Sequence, residues 1–183
     1  MGTSGCADKG VEWDGDAGRY VELDLVGHDG DYCFTLNATD IKSGWTEMQA
    51  VRNKAQIWVF DALQDIRKRL PFGLKGIDSD NSSEFINAHL LAYCQQEDIV
   101  FTRSRSYQKN DNCHVEQKNF TAVRNFVGYN RYDREEELAL LNELYGCLRL
   151  YLNFFHPQMK LVSKERIGSK VKKQFDMPQT PYQ

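Results

Sequence analysis

Three carboxylates stand out by their setting. Asp24 lies in YVELDLV, Asp80 in IDSDNSSEF and Glu116 in CHVEQKNF, with 35 residues between the second acid and the third. Carboxylate oxygens are hard donors suited to a small divalent cation such as Mg²⁺. Gathered without a cation they repel one another, so at least one is expected to take a raised pKa. Each acid also has a plainer reading. Asp24 can be a solvated strand residue, and Glu116 a first-turn helix acid favoured by the helix dipole. Asp78 competes with Asp80, although it would lengthen the spacing to 37.

The elements that must position these acids follow from periodicity. Tyr20–Val26 alternates, with Tyr20, Glu22, Asp24 and Val26 on one face and Val21, Leu23 and Leu25 on the other. HDGD forms a turn, Tyr32–Ile41 a second strand, KSG another turn, and Trp45–Val51 a third strand, so the three make an antiparallel meander. The period then becomes helical over Ala55–Leu70, with Val59, Leu63, Ile66 and Leu70 on one stripe and three cations in the last turn. A strand is predicted over Leu74–Asp78, a helix over Ser83–Gln96, a strand over Ile99–Thr102 and a polar loop over Arg103–Asn112. Two helices close the series: Cys113–Val127, with Val115, Ala122, Val123 and Phe126 as its apolar positions, and Arg134–Phe155, with Leu138, Leu141, Tyr145, Leu148 and Leu152. The order β-β-β-α-β-α-β-α-α suggests a mixed sheet with helices on both faces.

The spacing of the acids and several local strings resemble the DDE transposases and retroviral-type integrases, and in particular a bacterial insertion-sequence branch. DNSSEF is similar to that family's D-N-G-S-E-F, TDIKSGWTE to its T-D-x-x-(S/T)-G-W-T-E, and HVEQKNF through VGYNRYD to its segment around the Glu. Tyr107 and Asn112 lie nine and four residues before Glu116, where retroviral integrases carry a Tyr and an amide in a mobile loop. The likeness runs from about Trp13 to the end of the chain. It departs at Ser82, where the family has Gly, at Ser106, where the branch often has Pro, and at HDGD, a shorter linker than usual.

The resemblance implies an α/β ribonuclease-H-like fold, a five-stranded mixed sheet flanked by helices. It implies a catalytic core in which Asp24, Asp80 and Glu116 hold Mg²⁺, with Mn²⁺ able to substitute, and direct phosphodiester hydrolysis and DNA strand transfer. Two ions flanking a phosphodiester activate the attacking oxygen and stabilise the leaving one. By analogy Asp24 bridges the ions, while Asp80 and Glu116 are outer ligands. Tyr107, Asn112, Lys118, Asn119 and Arg124 become candidate DNA contacts, though Lys118, Asn119 and Arg124 read equally well as solvated helix residues. The implied partners are element ends, target DNA and further copies of the chain, as a homodimer or higher oligomer. The implied location is the bacterial cytoplasm, on the nucleoid when bound to DNA. Two other readings stand beside this one: a non-catalytic DNA-binding or interaction remnant of a truncated transposase, and a ribonuclease-H-like hydrolase without strand transfer.

Composition bounds the rest. The chain has 183 residues, 41% hydrophobic and 27% charged, enough for one domain. No apolar run reaches the roughly 20 residues that span a bilayer, so no membrane role is expected. The five cysteines are scattered, without a C-x-x-C pair, which argues for a reducing compartment and against a zinc module. Residues 1–12 read as a flexible lead-in, 13–156 as the core, and 157–183 as a basic tail or linker. That tail carries +4 on a chain of net −3, which leaves −7 for the remainder. It could contact phosphates or simply be solvated. A chain that begins so near the first catalytic strand is expected to be an excised domain or a truncated frame.

Overall fold

A computed structural model describes residues 19–80, 85, 88–104 and 112–183. The lead-in at 1–12, Ser82, Ser106 and Tyr107 lie outside the described residues, as does most of the polar loop expected over Arg103–Asn112.

Strands β1 (Arg19–Gly27), β2 (Cys33–Asp40) and β3 (Thr46–Arg52) form the meander, followed by helix α1 (Gln56–Arg69), β4 (Leu74–Ser79), helix α2 (Ala88–Gln96) and β5 (Val100–Arg103). The five strands make one sheet in the order β3-β2-β1-β4-β5. The pairs β1–β2 and β2–β3 are antiparallel, and β1–β4 and β4–β5 are parallel. This is the five-stranded mixed sheet expected from the element order. β1 is central, so whatever it carries is held on both sides.

Alternation along the strands divides the core in two. Val21, Leu23, Phe34, Leu36 and Ile77 face α1 and α2, packing on Val59, Leu63, Ile66, Leu90 and Cys94. Val26, Cys33, Met48 and Ala50 face the other way, onto Ala122, Val123, Val127, Leu141, Tyr145, Leu148 and Leu152. Those residues belong to a long helical run: α3 (Cys113–Lys118), a π-helical segment (Asn119–Arg124), α4 (Asn125–Val127), then α5 (Glu135–Leu150) with a second π-helical segment (Tyr151–Phe155). The π-helical segment shifts the register, because its extra residue per turn rotates everything after it. The expected apolar position Phe126 is therefore 45% exposed, and Val127 is buried in its place.

The meander string TDIKSGWTE proves to be structural. Asp40 Oδ2 accepts from the Ser43 backbone N–H (2.7 Å) and from Arg19 (3.2 Å), which closes the β2–β3 turn. Gly44 occupies that turn at φ +77°, and a Cβ there would lie 2.3 Å from Gln158 Nε2. The positive φ calls for glycine, and a Cβ would also push the Gln158 amide aside. Glu47 is fully buried and accepts from Arg149 at 2.5 and 2.7 Å, from Arg69 at 3.3 Å and from Trp45 Nε1 at 2.9 Å. It ties β3 to both helical layers.

Residues 157–183 contain a second, two-stranded sheet, β6 (Leu161–Ile167) paired antiparallel with β7 (Lys170–Phe175). The sequence pattern left this segment as a tail.

Candidate active site

Strand register gathers the acids. In β1–β2, Asp24 pairs with Asn37, and in β2–β3 Asn37 pairs with Met48. In the parallel β1–β4 pair the last partners are Leu23 and Ser79, so Asp24 and Asp80 lie one residue beyond, at the point where β4 ends. Asn37, Asp24 and Asp80 thus follow one row across three adjacent strands, which are spaced about 4.8 Å apart. Asp78 is 1% exposed and accepts from Thr102 Oγ1 at 2.5 Å, so it is committed to the β4–β5 contact. Asp80 is half-exposed.

The helix carrying Glu116 packs over the same face. Asn119 Nδ2 donates to Asp24 Oδ2 at 2.6 Å, and Asn119 Oδ1 accepts from Asn37 Nδ2 at 2.8 Å. The other Asp24 oxygen accepts from the Leu25 backbone N–H at 2.7 Å. Glu116 is exposed, yet its pKa is raised, first by partial burial of the carboxyl and then by the charges of Asp24 and Glu22. Burial is the larger cause, and the smaller contribution from Asp24 and Glu22 is the repulsion between neighbouring acids.

Glu22 was missed as a site residue. It is 3% exposed and accepts from the backbone N–H groups of His114 (2.9 Å) and Val115 (2.8 Å) and pairs with His114 Nδ1 (2.8 Å). The start of α3 is thereby fixed to β1 two residues before Asp24. Its signal was present in the sequence, because Glu22 shares the unusually polar face of β1 with Asp24.

The remaining candidates fall as follows. Asn112 is buried at the start of α3, where its carbonyl accepts from the Glu116 N–H at 3.0 Å. Lys118 is only 9% exposed, and its ammonium donates to Gln158 Oε1 at 2.7 Å; burial pulls its pKa down to about 8. Arg124 is half-buried, donates to the carbonyls of Gly27 and Gly128, and stacks over Tyr129 at 4.4 Å. Neither cation is the solvated face residue of the plainer reading. Arg124 ties the helix to the end of β1, and Lys118 ties it to Gln158 in the C-terminal segment.

The donor set fits a hard divalent cation in chemistry, since all three acids offer carboxylate oxygen and none is fully buried. Among the described residues no three His, Cys, Asp or Glu side chains converge closely enough to enclose an ion.

No protein-family model matches the chain. Over 175 residues it is 42% identical to an uncharacterized protein, y4rM, of Sinorhizobium fredii, covering 93% of this chain and 50% of that protein. The chain therefore spans half the length of this curated relative. Among solved structures it resembles the catalytic core domain of BIV integrase, with a TM-score of 0.57, 16% identity, and 75% of this chain and 84% of that one covered. It also resembles the HTLV-2 integrase catalytic core domain, determined in complex with magnesium in a dimeric form; there the TM-score is 0.59 at 14% identity, with 79% and 93% covered. The fold is that of an integrase catalytic core. At these identities the likeness establishes the fold, of the ribonuclease-H-like class.

Proposed function

We propose that this chain is the catalytic core of a DNA transposase or integrase of the bacterial insertion-sequence type. In this reading it performs divalent-metal-dependent phosphodiester hydrolysis and DNA strand transfer through Asp24, Asp80 and Glu116. The observation that carries the proposal is the register that sets Asp24 and Asp80 at adjacent strand positions, beneath a helix whose Glu116 feels the charge of Asp24.

Mg²⁺ held by Asp24, Asp80 and Glu116 would activate the attacking oxygen and stabilise the leaving one. The rest is the work of the chain's own groups. Asn119 holds one Asp24 oxygen and is itself held by Asn37, so the Asp24 carboxylate keeps one orientation. Glu22 fixes the helix start that presents Glu116. Lys118 and Arg124 act as supports of that helix, and Tyr107 stays a candidate DNA contact on the resemblance alone. The HTLV-2 core was determined with magnesium in a dimeric form; for this chain Mg²⁺ and a homodimer are proposed on that likeness.

The test is calorimetric titration with Mn²⁺ beside a branched oligonucleotide nicking assay. The parent is expected to bind Mn²⁺ and to nick the branched substrate. Asp24→Asn should lose both, and Glu116→Gln should lose nicking. Undiminished metal binding in Asp24→Asn would remove the assignment, and equal nicking by parent and Glu116→Gln would point to another nuclease. A folded parent inactive at every metal concentration would favour the remnant reading.

A further inference from the structure

We propose that the β6–β7 hairpin is a β-ribbon that grips duplex DNA through the face bearing Lys164, Arg166 and Lys173. This rests on the reading of the chain as a DNA-processing core. All residues of both strands are exposed, so the hairpin covers no part of the body. A two-stranded hairpin free on both faces is marginal in water, which makes its charge arrangement informative.

The register sorts the charges. Lys164 stands opposite Lys173 and Arg166 opposite Val171, while Glu165 stands opposite Lys172 and Ile167 opposite Lys170. Paired residues share a face, so one face gathers Lys164, Arg166 and Lys173 without an acid, for +3, and the other sets Glu165 among Lys172 and Lys170, for +1. Like charges directly opposite destabilise a strand pair. Among the described residues no carboxylate pairs with Lys164, Arg166 or Lys173. The Lys164–Lys173 repulsion is relieved by a polyanion laid along that face. Lys164 and Arg166 are roughly 7 Å apart along the strand, and a two-stranded ribbon is a shape the major groove of duplex DNA admits.

The root of the hairpin is fixed. Gln158 and Gln179 exchange backbone hydrogen bonds at 2.9 and 3.1 Å, and Asp176 Oδ1 accepts from the Lys160 N–H at 2.5 Å. Gln158 donates to the Ser43 carbonyl at 3.0 Å and accepts from Lys118 at 2.7 Å. Lys118 belongs to α3, the helix of Glu116. DNA held on the ribbon is thus held in a set relation to the acidic site.

The test is fluorescence anisotropy of a labelled 30-base-pair duplex over a salt series. It compares the full chain with the Lys164→Ser, Arg166→Ser, Lys173→Ser triple variant and with Lys170→Ser on the opposite face. The triple variant should bind at least tenfold more weakly, with a salt slope shallower by about 2 to 3; Lys170→Ser should bind nearly as the parent. Protection of Lys164 and Lys173 from amine acylation by duplex DNA, read in the parent by mass spectrometry, needs no variant. Equal affinity and slope in parent and triple variant, or no protection, would overturn the ribbon. So would capture by anionic phosphatidylglycerol vesicles without binding to duplex. The two readings fail separately: metal-dependent nicking with no ribbon effect would leave the catalytic proposal standing, and ribbon-dependent binding without nicking would leave the ribbon standing.

Discussion

At the scale of single residues, the candidate site is held by polar groups besides the three acids. Glu22 is the clearest case. Its carboxylate is buried and accepts two backbone N–H groups from the first turn of α3 while paired with His114. Hydrogen bonds to a buried charge contribute more than neutral ones, and the helix they fix delivers Glu116. Glu22→Gln keeps the shape but removes the charge and one acceptor oxygen. Stability should fall by about 2 kcal/mol, and the amides of His114 and Val115 should exchange with solvent faster. Metal-dependent nicking should fall with them, while duplex affinity stays near that of the parent. Unchanged amide exchange at those two positions would remove Glu22 from its positioning role. Its buried charge also contributes to the raised pKa of Glu116, so the neutral variant should titrate Glu116 closer to an ordinary glutamate.

At the scale of elements, β3 and α5 are joined by a buried charge cluster in which Glu47 receives both Arg149 and Arg69. Removing Arg149 leaves the buried Glu47 carboxylate with Arg69 at 3.3 Å and Trp45 Nε1 as partners, so the cost is up to about 3 kcal/mol, the low end for breaking a buried pair. Arg149→Met should lower the urea midpoint accordingly, with the larger part of the loss recovered when Glu47→Gln is added. Additive losses would mean that the two side chains are not coupled. The same elements show what the sequence made legible. Strand alternation and helical stripes located the five strands of the main sheet and the helices α1, α3 and α5 within a residue or two, whereas the helix expected from Ser83 is described only from Ala88. Phe126 was misplaced because a π-helical turn leaves no mark in hydrophobic spacing. The β6–β7 hairpin was missed because it buries nothing, so its strands lack the alternation of a half-buried sheet. The available signal was Gly168-Ser169 between the two strands, with Gly168 at φ +62°. The register of Asp24 with Asp80 was also out of reach, since pairing of β1 with β4 is a long-range contact that local pattern does not encode.

At the scale of the whole molecule, the helical layer leaves apolar surface uncovered. Phe126, Leu140 and Leu144 are 45%, 65% and 40% exposed. They line a cleft of about 460 Å³ between the end of α4 and the outer side of α5, with Asn125, Asn130 and Glu137 at its rim. The inner stripe of α5, through Leu141, Tyr145 and Leu148, is already spent on the sheet, and among the described residues this second stripe is left exposed. A contiguous apolar patch on a monomer marks a contact surface, and a self-complementary one closes into a two-fold dimer. On the proposed homodimer, α5 meets its copy through this stripe. Leu140→Lys places a cation at its centre. Sedimentation velocity at micromolar concentration should show the parent as a dimer and the variant as a monomer of unchanged secondary structure. The variant should still bind Mn²⁺, because the proposed metal-holding acids Asp24, Asp80 and Glu116 all belong to one chain, whereas any DNA-joining activity carried out by the proposed dimer should fail. A Leu140→Lys chain that sediments as the parent does would place the self-contact elsewhere on the molecule, and a parent that sediments as a monomer would remove the dimer from the proposal.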